Sequence, residues 1–131
     1  MGRVNILVVD DSPITVKRLT NMLCELGYDV VGTASTGAEA LAAYDTCNPD
    51  LVTMDITMPG LDGITATERI MHRYPRALIV MVTSHGQEEM VLDAMKAGAK
   101  GYILKPFQKD KLHEVIEEVV KRYAHPDGVR C

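Results

Sequence analysis

The sequence lacks the features that mark disulfide-stabilised, metal-clustered or membrane-spanning chains. It has 3 cysteines, Cys24, Cys47 and Cys131, with no Cys-x-x-Cys or Cys/His spacing. This pattern favours free thiols in a reducing cytosol, and Cys24, on an apolar helix face, is predicted to be a small core residue. No apolar run approaches the roughly 20 residues that span a bilayer. We expect no secretory signal, because the short apolar run after Arg3 stops at two aspartates.

Positive charge and phosphate-binding loops are also scarce. The chain has 14 Lys and Arg against 18 Asp and Glu, with a net charge of -4 and a pI near 5.5. That balance argues against a nucleic-acid-binding face. No Gly-x-Gly-x-x-Gly or Walker loop occurs. Ser35-Thr36-Gly37 faintly resembles a phosphate loop, but it follows the second predicted strand rather than the first, so helix capping explains it better.

What the chain does contain is a regular alternation of apolar strands and amphipathic helices. Hydrophobic residues make up 47% and charged residues 24% of its 131 residues, which is typical of one globular domain. The predicted strands are 4–9, 30–31, 51–54, 78–82 and 101–104, and a helical pattern follows each of them. Continuous apolar strands in five βα units predict a doubly wound five-stranded parallel sheet with helices on both faces. We place the domain at 1–124 and a flexible tail or the start of a linker at 125–131.

Polar residues stand at the ends of four of these apolar runs. They are Asp10-Asp11, Asp55, Thr83 and Lys105. Because the carboxyl ends of parallel strands converge on one edge of the sheet, we expect these side chains to share one crevice. Three carboxylates so placed repel one another, and a hard cation such as Mg²⁺, which prefers oxygen ligands, removes that conflict. The sequence therefore predicts a crevice for a divalent cation and a phosphoryl group.

Each polar residue contributes a different chemical group to this crevice. Lys105 is suited to hold a phosphate oxygen and Thr83 to donate a hydrogen bond to it. A carboxylate beside them can be the nucleophile and form an aspartyl-phosphate. Phosphoryl transfer needs mainly positioning and charge neutralisation, which these groups supply.

Each residue also has a simpler interpretation. Asp10-Asp11 can cap the first helix, which taken alone is about as plausible as a metal role. Asp55 can be a turn residue before a Met-Pro loop, which alone is the more plausible reading. Thr83-Ser84 can be the N-cap of the fourth helix, and Lys105 can be a solvated strand end. These alternatives do not explain why all the residues occur at strand ends.

With these residues identified, the chain resembles a response-regulator receiver domain of two-component signalling. The resemblance covers residues 5 to about 123. The matching segments, which are specific as a set in order and spacing, are Asp10-Asp11, Met54-Asp55, Met58-Pro59-Gly60, Asp62-Gly63, Thr83-Ser84, Gly98-Ala99, Gly101-Tyr102 and Lys105-Pro106-Phe107. The resemblance implies a flavodoxin-like (βα)5 fold with strand order 2-1-3-4-5. It also implies a cis Lys105-Pro106 bond.

The resemblance further implies a role for each site residue. Asp55 is expected to accept a phosphoryl group from a phosphohistidine of a sensor histidine kinase. Mg²⁺ is expected to be held by Asp11 directly, by Asp10 largely through water, by Asp55, and by the backbone carbonyl of Thr57. Thr83 and Lys105 are expected to hold the phosphate after transfer. Tyr102 is the switch aromatic that turns inward as Thr83 moves.

The resemblance also implies what the protein acts on. A downstream target protein is expected to bind the face built from the fourth helix, fifth strand and fifth helix, as in chemotaxis, and a phosphorylation-dependent homodimer is a further expected state. No direct contact with nucleic acid or membrane is expected. Since the sequence ends after the fifth helix, a stand-alone regulator is favoured. The alternative is a receiver from a longer DNA-binding or enzymatic regulator.

Two unrelated classes compete with this interpretation. A haloacid-dehalogenase-type phosphatase also uses a nucleophilic aspartate after a strand, but it needs a second aspartate two residues later, where this chain has Thr57. A flavodoxin needs a phosphate loop after its first strand. We therefore expect no enzyme activity on other substrates, only the protein's own phosphorylation and dephosphorylation.

Overall fold

The computed structural model describes residues 3–58, 60–84 and 86–123. Within these residues, strands β1 (Asn5–Val9), β2 (Asp29–Ala34), β3 (Leu51–Met54), β4 (Ile79–Thr83) and β5 (Gly101–Leu104) alternate with helices α1 (Pro13–Glu25), α2 (Gly37–Cys47), α3 (Gly63–Arg73), α4 (Glu88–Ala97) and α5 (Lys109–Tyr123). The predicted tail at 125–131 and the predicted domain end at 124 lie outside the described residues.

The five strands form one parallel sheet in the order β2-β1-β3-β4-β5, which confirms the predicted fold and strand order. The order reverses between β1 and β3, where Val9 lies opposite Met54. On the other side of β3, Met54 lies opposite Met81 of β4. The reversal opens a crevice beyond the carboxyl ends of the strands, which is where ligands bind in sheets of this kind.

Two apolar layers cover the faces of the sheet. Alternate residues of β1 point to opposite faces, so that Leu7 and Val9 join one cluster and Ile6 and Val8 the other. The first cluster packs against α2, α3 and α4, and the second packs against α1 and α5. Because every strand between the edges is buried on both faces, the apolar runs of the sequence are continuous rather than alternating.

Side-chain caps begin three of the helices. The Ser12 hydroxyl accepts from the Thr15 N–H at 3.3 Å, and the Thr36 hydroxyl accepts from the Glu39 N–H at 3.1 Å. Asp62 caps α3 in the same way. The alternative that Thr83-Ser84 caps the fourth helix is wrong, because Gln87 is the N-cap of α4 and makes no side-chain cap bond.

The structure corrects several sequence expectations. Cys24 is exposed rather than buried, because Leu19 and Leu23 form the buried face of α1 and the next residue is turned about 100° away from it. β2 has 6 residues instead of the two predicted, since Gly32 and Thr33 on this edge strand weaken its apolar signal. Among the described residues, no helix has both the length and the apolar character needed to cross a membrane.

Candidate functional site

The two central strands place Asp10 and Asp55 side by side. The Asp10 N–H donates to the Ala34 carbonyl at 3.0 Å, and the Asp55 N–H donates to the Val9 carbonyl at 2.9 Å. These bonds extend the sheet ladder one residue beyond β1 and β3, so the main chain of both residues is held in place. Asp10 is 1% exposed and Asp55 is 6% exposed, whereas Asp11 is exposed to solvent. Carboxylate oxygens of all three lie within 4.8 Å of one another.

The ammonium group of Lys105 lies between two of these carboxylates. Its Nζ is 2.8 Å from Asp10 Oδ2 and 3.8 Å from Asp55 Oδ1. The Lys105 N–H donates to the Thr83 carbonyl at 2.8 Å, which fixes the lysine to the end of β4. The Lys105-Pro106 peptide bond is cis, as the resemblance implied. The structure thus brings Asp10, Asp11, Asp55 and Lys105 together as the sequence predicted.

Asp55 is electrostatically unusual. Burial is the main factor that raises the pKa of its carboxyl from 3.8 to about 6, and the Asp10 carboxylate raises it further. Lys105 lowers this pKa, Asp11 raises it, and the Ile56 N–H lowers it slightly. One ammonium group therefore does not fully compensate the carboxylates around it. The crevice has a surplus of negative charge that a further cation would neutralise.

The donor set of the crevice fits Mg²⁺. Its ligands are oxygen atoms of Asp10, Asp11 and Asp55, and hard divalent cations prefer such ligands. Sulfur and imidazole ligands, which softer metals favour, are absent from this cluster among the described residues. Thr57 is exposed in the loop after β3, two residues beyond Asp55. The role of its carbonyl as a ligand stays a prediction.

Thr83 and Tyr102 connect the crevice to one face of the sheet. Thr83 is the last residue of β4 and is fully buried. Met81 lies opposite Tyr102, and Thr83 lies opposite Leu104, so Thr83 and Tyr102 are diagonal neighbours on the same face. Tyr102 packs against the apolar cluster under α4, and burial raises the pKa of its hydroxyl. Their arrangement suits the predicted switch, which stays a prediction.

Sequence reasoning missed two positioning contacts. The Ser12 N–H donates to Asp10 Oδ1 at 2.9 Å and so orients that carboxylate. Gly63 begins α3 against the backbone of Asp55: a Cβ at this position would lie 1.9 Å from the Asp55 carbonyl oxygen. In the sequence the Asp62-Gly63 pair served as a loop signal and as one segment of the resemblance, but neither indicated this contact, because a contact between main chains leaves no pattern of side chains.

A cleft of about 330 Å³ adjoins the crevice. It lies between α1 and the segment after β5 and continues from Lys105. Arg18, Met22 and Phe107 are among the residues that line it. Its lining is mainly apolar.

Comparison with known proteins shows a consistent likeness. The sequence profile of the response regulator receiver domain matches residues 6–117. The chain is 45% identical over 115 residues to the chemotaxis protein CheY of Bacillus subtilis, covering 88% of this chain and 96% of that protein. It is 38% identical over 128 residues to the positive alginate biosynthesis regulatory protein of Pseudomonas aeruginosa, covering 96% of this chain but 49% of that protein.

A solved structure shows the same likeness in three dimensions. The chain aligns with the crystal structure of the CheX-CheY-BeF3-Mg²⁺ complex from Borrelia burgdorferi with a TM-score of 0.86 and 40% identity. The alignment covers 88% of each chain. The likeness therefore extends over most of the chain and not over an isolated motif.

Proposed function

Because the chain belongs to the response regulator receiver domain family, we propose that it accepts a phosphoryl group on Asp55 and relays this change to a partner protein. The donor is a phosphohistidine of a sensor histidine kinase. The observation that carries the proposal is the buried Asp55 carboxylate, held between Asp10, Asp11 and the Lys105 ammonium.

The transfer is a displacement at phosphorus. One oxygen of the Asp55 carboxylate forms the new bond while the phosphorus–nitrogen bond to the histidine ring breaks. The ring nitrogen keeps the bonding electron pair and leaves as neutral imidazole, because the other ring nitrogen carries a proton. Asp55 must be ionised to attack, and a pKa of about 6 leaves it mostly ionised at neutral pH. The protein contributes position and charge, which is most of what phosphoryl transfer requires.

Mg²⁺ is part of the proposal. Asp10, Asp11 and Asp55 would hold it through their carboxylates, with the Thr57 main-chain carbonyl as a further ligand. When bound, the ion supplies positive charge to the phosphoryl oxygens and to the three carboxylates. The Borrelia complex, which contains a CheY together with BeF3 and Mg²⁺, supports this assignment.

Lys105 and Thr83 act after transfer. Lys105 is bonded to Asp10 at 2.8 Å and lies 3.8 Å from Asp55, so a short movement brings its ammonium onto a phosphoryl oxygen. The main-chain carbonyl of Thr83 accepts from the Lys105 N–H. The hydroxyl of Thr83 donates to a second phosphoryl oxygen. The resulting shift of Thr83 allows Tyr102 to turn inward. We propose no activity on other substrates, since Thr57 stands where a phosphatase would need a second acid.

The proposed output face consists of α4, β5 and α5. Leu92, Met95 and Leu104 are large apolar side chains exposed on this face, by 52%, 43% and 49% respectively. Large exposed apolar side chains on one surface favour protein binding. The names of the chemotaxis relatives support a chemotaxis protein as the target, and a cytoplasmic location follows from such a pathway. Phosphorylation-dependent homodimerisation at the same face is the other expected output.

A second candidate function keeps the same chemistry but changes the output. The alginate regulator from Pseudomonas matches this chain over only 49% of its own length. A receiver of this sequence can therefore be part of a longer regulator, with its effector attached in the same polypeptide. A reading frame that continues past Cys131 into an effector domain would favour this candidate over a stand-alone regulator.

Intact-mass spectrometry tests the proposed chemistry. The wild-type protein is incubated with acetyl phosphate and Mg²⁺, and we expect one phosphoryl adduct that EDTA prevents. Asp55→Asn should form no adduct, and Asp11→Ala should form it much more slowly at the same Mg²⁺ concentration. Equal modification of wild type and Asp55→Asn would show that the acceptor lies elsewhere, and equal rates with and without Mg²⁺ would remove the metal from the proposal.

A further inference from the structure

The first half of α4 is attached to the rest of the molecule without a fully buried side chain. The buried residues of this helix are Ala94 and Ala97, and both lie in its second half. Gln87, the N-cap, makes no side-chain cap bond. An opening of about 390 Å³ lies beside the first half of the helix, lined in part by Met90 and Asp93. The position of the start of α4 therefore depends on contacts made by the residues just before it.

Leu104 supplies a contact of this kind. It is the last residue of β5, and a Cβ at Gly86 would lie 2.9 Å from its Cδ2 and 3.0 Å from its Cδ1. The side chain of Leu104 therefore rests on the main chain of Gly86, two residues before α4 begins. The rest of this side chain is open to solvent, since Leu104 is 49% exposed.

The amino acid at position 86 fits this contact. The φ of Gly86 lies outside the left-handed region, unlike those of Gly60 and Gly98, so its backbone conformation does not require glycine. What excludes a larger residue is the space that Leu104 occupies. Because the nearest atoms are the ends of a flexible side chain, a Cβ at position 86 would displace Leu104 rather than distort the fold.

The contact lies beside the proposed switch residue. Leu104 is opposite Thr83 in the ladder between β4 and β5, and the Lys105 N–H donates to the Thr83 carbonyl at 2.8 Å. Gly86 follows Thr83 by three residues, so Thr83 cannot shift far toward the crevice while Gly86 stays against Leu104. A contact made in only one of two states changes the equilibrium between them.

We infer that Leu104 is a positioning residue of the switch. By covering Gly86 it holds the start of α4 in the resting arrangement, and so it opposes the shift of Thr83 toward a phosphoryl group. The inference rests on the proposed function and adds to it a residue that acts through Gly86 and not on the reacting atoms. Removal of the Leu104 side chain should make the shift easier and so strengthen the binding of a phosphoryl mimic.

Titration with beryllofluoride, which imitates the phosphoryl group, tests the inference. Fluorine magnetic resonance gives its apparent Kd in the presence of Mg²⁺. We expect Leu104→Ala to lower this Kd about two- to fivefold, because the resting state alone loses a contact. Leu104→Met, whose side chain is long enough to cover Gly86, should restore the wild-type value. Val31→Ala, which truncates an exposed apolar residue on the opposite edge strand, should change the Kd less than about 1.5-fold.

A second pair of variants identifies the contact itself. Gly86→Ala should also lower the Kd, because its Cβ displaces Leu104. In the Leu104→Ala background the same change should add little, since no long side chain is left to displace. Hydrogen exchange of the free protein, without Mg²⁺, gives a readout that does not depend on phosphorylation. Exchange in residues 88–93 should be faster in Leu104→Ala than in wild type, and unchanged in Val31→Ala.

The outcomes that contradict the inference are distinct from failure of the proposed function. If wild type binds beryllofluoride but Leu104→Ala has the same Kd or a higher one, Leu104 does not oppose the switch. A lower unfolding temperature without a change in Kd would make the contact purely structural. Additive effects of Gly86→Ala and Leu104→Ala would show that they act separately. If wild type with Mg²⁺ binds no beryllofluoride, the proposed function fails and the inference fails with it, whatever the exchange in α4.

Discussion

Asp55 combines burial with reactivity. Its carboxylate is nearly excluded from solvent, has Asp10 beside it, and is approached by one ammonium group at 3.8 Å. Such an environment disfavours the charged form and raises the pKa to about 6. The same negative charge that destabilises the folded protein attracts a divalent cation. Stability and function are thus opposed at this residue.

The first prediction concerns this opposition. Because the pKa of Asp55 is higher in the folded protein than the ordinary value of 3.8, the folded state holds its proton more tightly. The stability that this group contributes is present below about pH 4 and is lost as the pH rises through about 6. Without Mg²⁺, Asp55→Asn should therefore gain about 1–3 kcal/mol relative to wild type between pH 4 and pH 7. Urea unfolding in EDTA at several pH values measures the free energy of unfolding of both proteins. If that free energy changed with pH in the same way for wild type and Asp55→Asn, the prediction would be contradicted.

The second prediction concerns Gly63. A Cβ there would lie 1.9 Å from the Asp55 carbonyl oxygen and 2.8 Å from Ile56 Cα, and main-chain atoms cannot yield as a flexible side chain can. Gly63→Ala should destabilise the fold by about 2–4 kcal/mol and slow phosphorylation of Asp55. Gly60→Ala in the same loop is the control. Gly60 has a φ of 73° and open space around it, so that variant should lose only about 1–2 kcal/mol of backbone energy. Similar losses in both variants would argue against the close contact.

At the scale of elements, α5 is attached to the sheet by more than its apolar stripe. Leu112, Ile116 and Val119 are buried against the second core cluster. The Tyr28 hydroxyl, just before β2, donates to Glu117 Oε2 at 2.6 Å and lies 3.2 Å from His113 Nδ1. Burial and the bond to Glu117 both raise the pKa of the tyrosine hydroxyl, so it stays protonated and remains a donor.

The third prediction tests this attachment with a double-mutant cycle. Tyr28→Phe removes the donor, and Glu117→Gln removes the charge of the acceptor. We expect each single variant to lose about 1 kcal/mol of stability and the double variant to lose less than the sum, because both remove the same bond. Thermal unfolding at neutral pH measures the four proteins. Glu118→Gln, at the neighbouring exposed position, should combine additively with Tyr28→Phe, and a coupling as large as that of Glu117 would contradict the assignment.

At the scale of the whole molecule, the sheet carries the proposed signal across one face. Asp55 and Thr83 lie at the carboxyl end of the sheet, and Tyr102 lies two residues back from that end on the neighbouring strand, under α4. A ligand shifts such an equilibrium only if it contacts the two states differently. The phosphoryl group does so in this proposal, because it pulls on Thr83 and Lys105 in one state only.

The fourth prediction follows this path. A beryllofluoride adduct, which imitates the phosphoryl group, should change hydrogen exchange in α4 and around Tyr102 as well as in the crevice loops. Thr83→Ala should still accept the phosphoryl group, because Asp55 and the metal ligands are intact, but its exchange in α4 should respond less. Hydrogen-exchange mass spectrometry resolves these segments. A response confined to the crevice, or an undiminished response in Thr83→Ala, would show that the signal takes another route.

The sequence by itself determined the fold class and the meeting of Asp10, Asp11, Asp55 and Lys105 at one end of the sheet. Five apolar runs alternate with amphipathic helices, and parallel strands buried on both faces permit few other arrangements. The polar residues Asp10, Asp55, Thr83 and Lys105 follow such runs directly. We could predict that these residues converge because the carboxyl ends of parallel strands all lie at the same edge of the sheet. Strand order came from resemblance, since hydrophobic pattern alone does not say which strands are neighbours.

The tertiary structure decided what depends on the distance between remote segments. It placed the Lys105 ammonium at 2.8 Å from Asp10, put Gly63 against the Asp55 backbone, and left Cys24 exposed on α1. It also brought Leu41 of α2 and Arg69 of α3 to the lining of one surface opening. The physical reason is that sequence patterns report the period of a strand or helix, whereas contacts and electrostatic environments depend on how these elements pack together.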